Sequence, residues 1–244
     1  MSLWTPLLWL AILLPLFLIA QLTTKKTNPK YLILFGGYFL LDSYTRILGR
    51  DYIELDFLGL EANYGGMLLS FVFALIFILY QSKKIREEIG FTTKFCKKTV
   101  KFGILIFLGF LLFDFVFKLI IFPKGGVFDL EKFLFQATLP GLTEEIVFRG
   151  ILLWILSKAF VPSKEIKGVF FGWGFIIITF LFAMIHGVVL TEAMEIKVDY
   201  ITIAYLTLIT SLSVGVLRKF SGNLILPILG HNVVNLMNLF IRLI

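Results

Sequence analysis

Two carboxylates, a guanidinium, two imidazoles and a carboxamide are the groups of this chain that could do chemistry together. The run Leu142-Thr143-Glu144-Glu145-Ile146-Val147-Phe148-Arg149-Gly150 sets Glu144, Glu145 and Arg149 in an otherwise apolar stretch. An ionised side chain in hydrocarbon costs on the order of 3 kcal/mol by insertion scales, so such residues need a reason to be there. Glu145 and Arg149 are four positions apart, share a helix face and can pair. Glu144 is turned by about 100° from Glu145 and is freer to exchange protons. Two neighbouring carboxylates in a low dielectric resist ionising together, which suits one of them to act as a general base. Two plainer readings compete. One is a buried ion cluster that only fixes packing. The other makes Thr143 an N-cap after a break at Pro140-Gly141, with the glutamates as favourable first-turn anions. The capping reading leaves Arg149 without a part.

The chain has two histidines, and both fall in apolar segments. His186 ends Phe182-Ala183-Met184-Ile185-His186, and His231 lies in Leu229-Gly230-His231-Asn232-Val233-Val234-Asn235. A lone histidine on an apolar face is usually a packing residue; two beside a buried glutamate pair weaken that view. His231 and Asn235 share a helix face and can point donors at one spot. Asn232 and Asn238 sit on other faces and suit interhelical hydrogen bonds, while Gly187 and Gly230 would let neighbouring helices approach. Ser211 and Ser213 are expected to bond the helix backbone. With no serine or cysteine paired to the set, water is the expected nucleophile. A glutamate deprotonates it, a histidine holds it, and His plus Asn form an oxyanion hole.

The elements that must position these groups are apolar. Of 244 residues 59% are hydrophobic and 16% charged, with a mean hydropathy of +0.94. Soluble domains carry about 25% charged residues, so the solvent of this chain is expected to be lipid. Apolar segments fall at roughly 3–22, 31–50, 65–82, 101–122, 131–158, 168–190, 199–217 and 223–243. The expected fold is all-α, a polytopic transmembrane helical bundle of about eight spans, with residues 1–244 as a single integral membrane domain. The first segment reads as a retained span rather than a signal peptide. Asp42 and Arg46 interrupt the second, and Pro140-Gly141 invite a kink in the fifth. Fifteen of the 23 basic residues, Lys118 not among them, fall in alternate connections, including Arg218 and the seven from Lys83 to Lys101. By the bias of basic residues these connections face the cytoplasm, and acidic Glu54, Asp56, Glu192 and Glu195 the other side. The 83–101 connection is expected to hold a short amphipathic helix on the anionic inner leaflet. A net charge of +7 distributed in this way marks topology, not nucleic acid binding. Cys96 is the lone cysteine and reads as a free thiol.

The order Glu-Glu-x-x-x-Arg, Phe-x-x-x-His, His-x-x-x-Asn on separate spans resembles the CAAX protease and bacteriocin-processing family, also called Abi. The motifs are Glu144, Glu145 and Arg149; Phe182 and His186; His231 and Asn235. They lie within residues 130–238. The resemblance implies an intramembrane endopeptidase of about eight helices in the cell membrane. Its substrate would be a peptide or lipidated protein, a prenylated CAAX protein in eukaryotic relatives. Carried over, Glu144 is the general base, His186 helps to bind the water, His231 and Asn235 form the oxyanion hole, and Glu145 with Arg149 orients the site.

Two other classes compete: a non-proteolytic membrane scaffold or bacteriocin-immunity protein on the same fold, and a proton-coupled transporter using a Glu–His relay. No internal symmetry supports the transporter. No cofactor is favoured. Zinc remains an alternative through His186, His231 and Glu144, although the His-Glu-x-x-His helix is absent and Asn235 is a poor zinc ligand. Membrane lipids are the other expected partners. One geometric tension stands: in straight parallel spans His186 would lie near the outer end of its helix and His231 near the inner end of its own. Breaks at Pro140-Gly141 or Pro227 would relieve it.

Overall fold

A computed structural model describes residues 2–53 and 60–244; Glu54 and Asp56 of the expected outer connection lie outside the described residues. Helices occupy all eight apolar segments. In chain order they are α1 (Thr5–Thr23), α2 (Lys30–Tyr52), α3 (Tyr64–Leu79), α4 (Lys83–Ile89), α5 (Val100–Ile121) and α6 (Leu130–Glu144). A π-helical segment (Glu145–Leu152) and α7 (Leu153–Ala159) follow without a break. Then come α8 (Trp173–Gly187), α9 (Tyr200–Tyr205), a second π-helical segment (Leu206–Ser211), α10 (Leu212–Ser221) and α11 (Ile225–Leu243). Among the described residues four stretches are long and apolar enough to cross a membrane: Thr5–Thr23, Val100–Ile121, Tyr200–Ser221 and Ile225–Leu243. The protein is a mostly helical membrane protein. It is not purely helical, because two antiparallel hairpins of three-residue strands connect helices: β1 (Lys164–Ile166) with β2 (Val169–Phe171), and β3 (Val188–Leu190) with β4 (Ile196–Val198).

The core gathers around the first π segment and α7. Ile146, Val147, Ile151, Leu152, Ile155 and Leu156 pack against Ile177, Leu181 and Phe182 of α8, and against Phe35, Tyr38 and Phe39 of α2. Outward-facing Leu105, Leu112 and Ile120 of α5 are more than 60% exposed, an apolar surface suited to hydrocarbon.

Several expectations are corrected. The fifth segment does not break at Pro140. The α-helix carries through it, and the irregularity begins five residues later as the π turn. Thr143 is therefore no N-cap. Asp129 caps α6 by accepting from Lys132 N–H, and Thr143 is buried in mid-helix. The short helix in the 83–101 connection exists as α4, with Ile89 fully buried and Glu88 accepting from Trp154 Nε1 and Lys158 Nζ. The Lys158 ammonium, then the indole, hold the Glu88 carboxyl below the usual carboxylate range. Lys118 is buried in the last turn of α5 and paired with Asp114. Arg218 is likewise buried in α10.

The depth tension between the histidines is resolved by a buried turn rather than by proline. Ser221, Asn223 and Leu224, between α10 and α11, are all nearly inaccessible. The segment after α4 seals them: Cys96 N–H donates to Ser221 O at 2.8 Å, Leu224 N–H to Gly90 O at 3.0 Å, and Asn223 Nδ2 to Lys94 O at 3.1 Å. Gly90 is at φ +93°, and a Cβ there would meet the Arg218 guanidinium at 2.6 Å, so only glycine fits the seal. With α11 starting inside the protein, His231, seven residues in, lies level with His186 near the end of the 15-residue α8.

Helices α2 and α3 cross with backbones nearly touching. A Cβ on Gly49 would lie 2.6 Å from both Gly65 O and Gly66 Cα, which cannot move as a side chain would. Gly49→Ala should therefore lose about 1–3 kcal/mol by overpacking. Gly109→Ala, with nothing within 4 Å, should be neutral or gain about 0.5–1 kcal/mol of helix propensity. Thermal unfolding in detergent checks the contrast, and equal melting temperatures would contradict the close crossing.

Candidate active site

Four elements bring the polar groups together. Glu144 ends α6, Glu145 and Arg149 ride the first π segment, His186 closes α8, and His231 and Asn235 lie on one face of α11. A π segment has wider turns than an α-helix and is used mostly at functional sites. Here Arg149 Nη1 donates to Glu145 Oε1 at 3.0 Å, and both side chains are fully buried. The other guanidinium arm reaches the second π segment, where Arg149 Nη2 donates to Ser211 Oγ at 2.9 Å. The Arg149 plane lies over the Phe182 ring, 4.0 Å from its centroid, so the charge is held by a carboxylate, a hydroxyl and an aromatic face.

The imidazoles have their orientation set by their partners. His231 Nδ1 is 2.7 Å from Glu145 Oε1, the oxygen that also takes Arg149. A carboxylate only accepts, so Nδ1 carries the hydrogen and Nε2 faces Glu144, 3.9 Å from its Oε2. His186 Nδ1 is 2.6 Å from the Phe182 carbonyl oxygen. A carbonyl also only accepts, so a neutral His186 keeps a lone pair on Nε2. Phe182 packs edge-on against His231 and tilted against His186, with ring centroids 5.8 Å and 4.7 Å away.

Glu144, His186, His231 and Asn235 line one cavity of about 270 Å³, together with Phe182, Gln136, Tyr205 and Asn238. All six residues singled out by sequence thus lie in one assembly: four face the cavity, while Glu145 and Arg149 stand behind His231. Asn232 makes an interhelical hydrogen bond, accepting from Gly141 N–H at 3.1 Å, whereas Asn238 faces the cavity. Ser213 bonds the backbone of Thr210; Ser211 instead serves Arg149.

Three groups escaped the sequence reading. Arg46 of α2, read as an interruption near an outer loop, comes within 3.8 Å of Glu144 Oε1. Its i, i+4 spacing from Asp42 was the available signal. Ser211 supports Arg149, and Tyr205, on the cavity wall, donates its hydroxyl to Asp114, which is paired with Lys118.

Among the described residues no group of three or more His, Cys, Asp or Glu side chains is arranged to hold a metal ion. In the set His186, His231 and Glu144, Nδ1 of each histidine is engaged, and the Nε2 of His231 lies 3.9 Å from Glu144 Oε2.

Residues 126–237 match the family model for type II CAAX prenyl endopeptidase Rce1-like proteins. No curated protein and no solved structure matches the chain. The matched segment holds Glu144, Glu145, Arg149, His186, His231 and Asn235; Arg46 and Asp42 come from the N-terminal half outside it.

Within the matched segment the Arg149 contacts set a stability order. Arg149→Ala leaves Glu145 a buried, uncompensated charge and should cost about 3–5 kcal/mol, lowering folded yield. Ser211→Ala should cost about 1–3 kcal/mol by stranding one guanidinium arm. Size-exclusion yield and unfolding in detergent check this, and an Arg149→Ala protein that accumulates and melts like the unmodified one would contradict the pairing.

Proposed function

We propose that the protein is an intramembrane endopeptidase that cleaves a membrane-associated peptide, of the prenylated CAAX type that the family description names, with Glu144 activating water. The observation that carries this reading is the shared cavity: Glu144, His186, His231 and Asn235 line one space of about 270 Å³. In the proposed sequence, Glu144 takes a proton from a water whose other hydrogen is accepted by His186 Nε2. The oxygen attacks the scissile carbonyl. Asn235 Nδ2 donates to the developing oxyanion, and His231 in its imidazolium form adds a second donor from Nε2. Glu144 then passes its proton to the leaving amine. Glu145 and Arg149 touch no reacting atom; they fix the His231 ring. The proposal includes about eight crossings of the cell membrane and a cytoplasmic 83–101 segment, following the split of basic residues.

A non-proteolytic scaffold on the same fold is the second reading. Against it stands the orientation of the two imidazoles: their Nδ1 atoms are occupied, while among the described residues neither Nε2 atom makes a hydrogen bond.

The purified protein in nanodiscs, given an internally quenched prenylated peptide with a CAAX-type end, should cleave it. Glu144→Gln should abolish cleavage while the peptide still binds and the protein stays folded. Asn235→Ala should slow cleavage by roughly 10²–10³, the usual loss for one oxyanion donor. Cleavage by Glu144→Gln at the unmodified rate would sink the mechanism.

A further inference from the structure

The N-terminal half, outside the Rce1-like segment, carries an ion chain that ends on Glu144. It starts on α3, where the Ser70 hydroxyl donates to Asp42 Oδ1, with both residues buried. Asp42 Oδ2 accepts from Arg46 Nε at 2.9 Å, one turn along α2. Arg46 Nη1 then lies 3.6 Å from Met67 Sδ and 3.8 Å from Glu144 Oε1. Arg46 Nη2 is buried with no hydrogen-bond partner among the described residues. Held by Asp42 through Nε, the fork cannot swing away, so it presents its outer edge to Glu144.

Other groups face Glu144 as well, the two imidazoles foremost. On its own helix Glu145 is a like charge, already shared between Arg149 and His231. From α11 His231 faces it at 3.9 Å, but that ring also serves Glu145. From α8 His186 shares its cavity, and Tyr205 beyond is committed to Asp114. From α3 come only Met67 and Ser70, which carry no charge. The buried set thus holds three carboxylates, Asp42, Glu144 and Glu145, against two guanidinia, Arg46 and Arg149. An opposite charge within about 4–6 Å favours the ionised form of a carboxyl group.

We infer that Arg46 is a positioning residue that keeps Glu144 ionised and oriented as a base, so that the N-terminal half completes the site of the Rce1-like segment. The inference deepens the peptidase reading, yet its test does not depend on that reading. Dicyclohexylcarbodiimide adds to protonated carboxyl groups in apolar surroundings. Its modification of Glu144, measured by peptide mass in the full chain in nanodiscs across pH, reads protonation with no substrate, and Glu144→Gln controls for the site. Arg46→Gln should move the labelling midpoint upward by about one pH unit or more. Arg46→Lys keeps a charge beside Asp42 but lacks the outer arm, so its midpoint should rise by less. A merely structural role would lower yield and leave the midpoint in place. A profile for either variant that coincides with that of the unmodified protein overturns the inference. If the labelling shifts but no peptide is ever cleaved, the peptidase reading fails and the role of Arg46 stands.

Discussion

The rest of the structure depends on the ion pair between Glu145 and Arg149, buried with no access to solvent. A lone charge in such a place would be prohibitive, and even a pair returns its desolvation cost only when its remaining hydrogen-bonding capacity is met. That requirement reaches outward. Arg149 needs the Ser211 hydroxyl and the Phe182 face, which fixes the second π segment and α8 against the first. Glu145 takes a second donor on the same oxygen, Oε1, which fixes His231 and with it α11, while its buried Oε2 has no hydrogen-bond partner among the described residues. Three elements distant in sequence are thereby held around one point, and the cavity is the space left between them and Glu144.

The pair alone cannot set the depth at which these elements meet. That falls to the re-entrant turn between α10 and α11, pushed into the protein and closed by the chain after α4. Arg218 ties the two systems together: its Nε donates to the Arg149 carbonyl and its Nη2 to the Glu88 carbonyl. The same residue that steadies the π segment therefore also steadies the seal beneath α11. On the opposite side of the cavity, Asp114 and Lys118 of α5 form a second buried pair that holds the Tyr205 hydroxyl on the wall.

Much of this was legible in the sequence, for a physical reason. Charges in apolar runs are so costly that their positions and spacing mark function, and the i, i+4 relations Glu145–Arg149 and His231–Asn235 follow from helix geometry alone. What was not legible depends on the environment. Arg46 looked like an interruption of its span because a sequence cannot show that α2 turns it inward toward Glu144. Arg218 looked like a topology marker because basic residues near span ends normally are. The π segment left no trace, since its residues suit an α-helix equally well, and Pro140 drew attention to the wrong place. The short α8 and the buried 221–224 turn are set by tertiary packing, so a hydropathy window reads them as ordinary spans.

The central claim is that the Glu145–Arg149 pair serves the chemistry through His231 and not only the packing. A buried ion pair can often be exchanged for apolar residues of similar volume with no loss of stability. The double substitution Glu145→Leu with Arg149→Met, compared with each single change, separates the two roles when folded yield and peptide cleavage are measured together in nanodiscs. The account predicts that the double variant regains most of the folded yield that the single variants lose, and that cleavage stays depressed because His231 no longer has an anion on Nδ1. Recovery of cleavage in step with yield would contradict it and reduce the pair to a packing device.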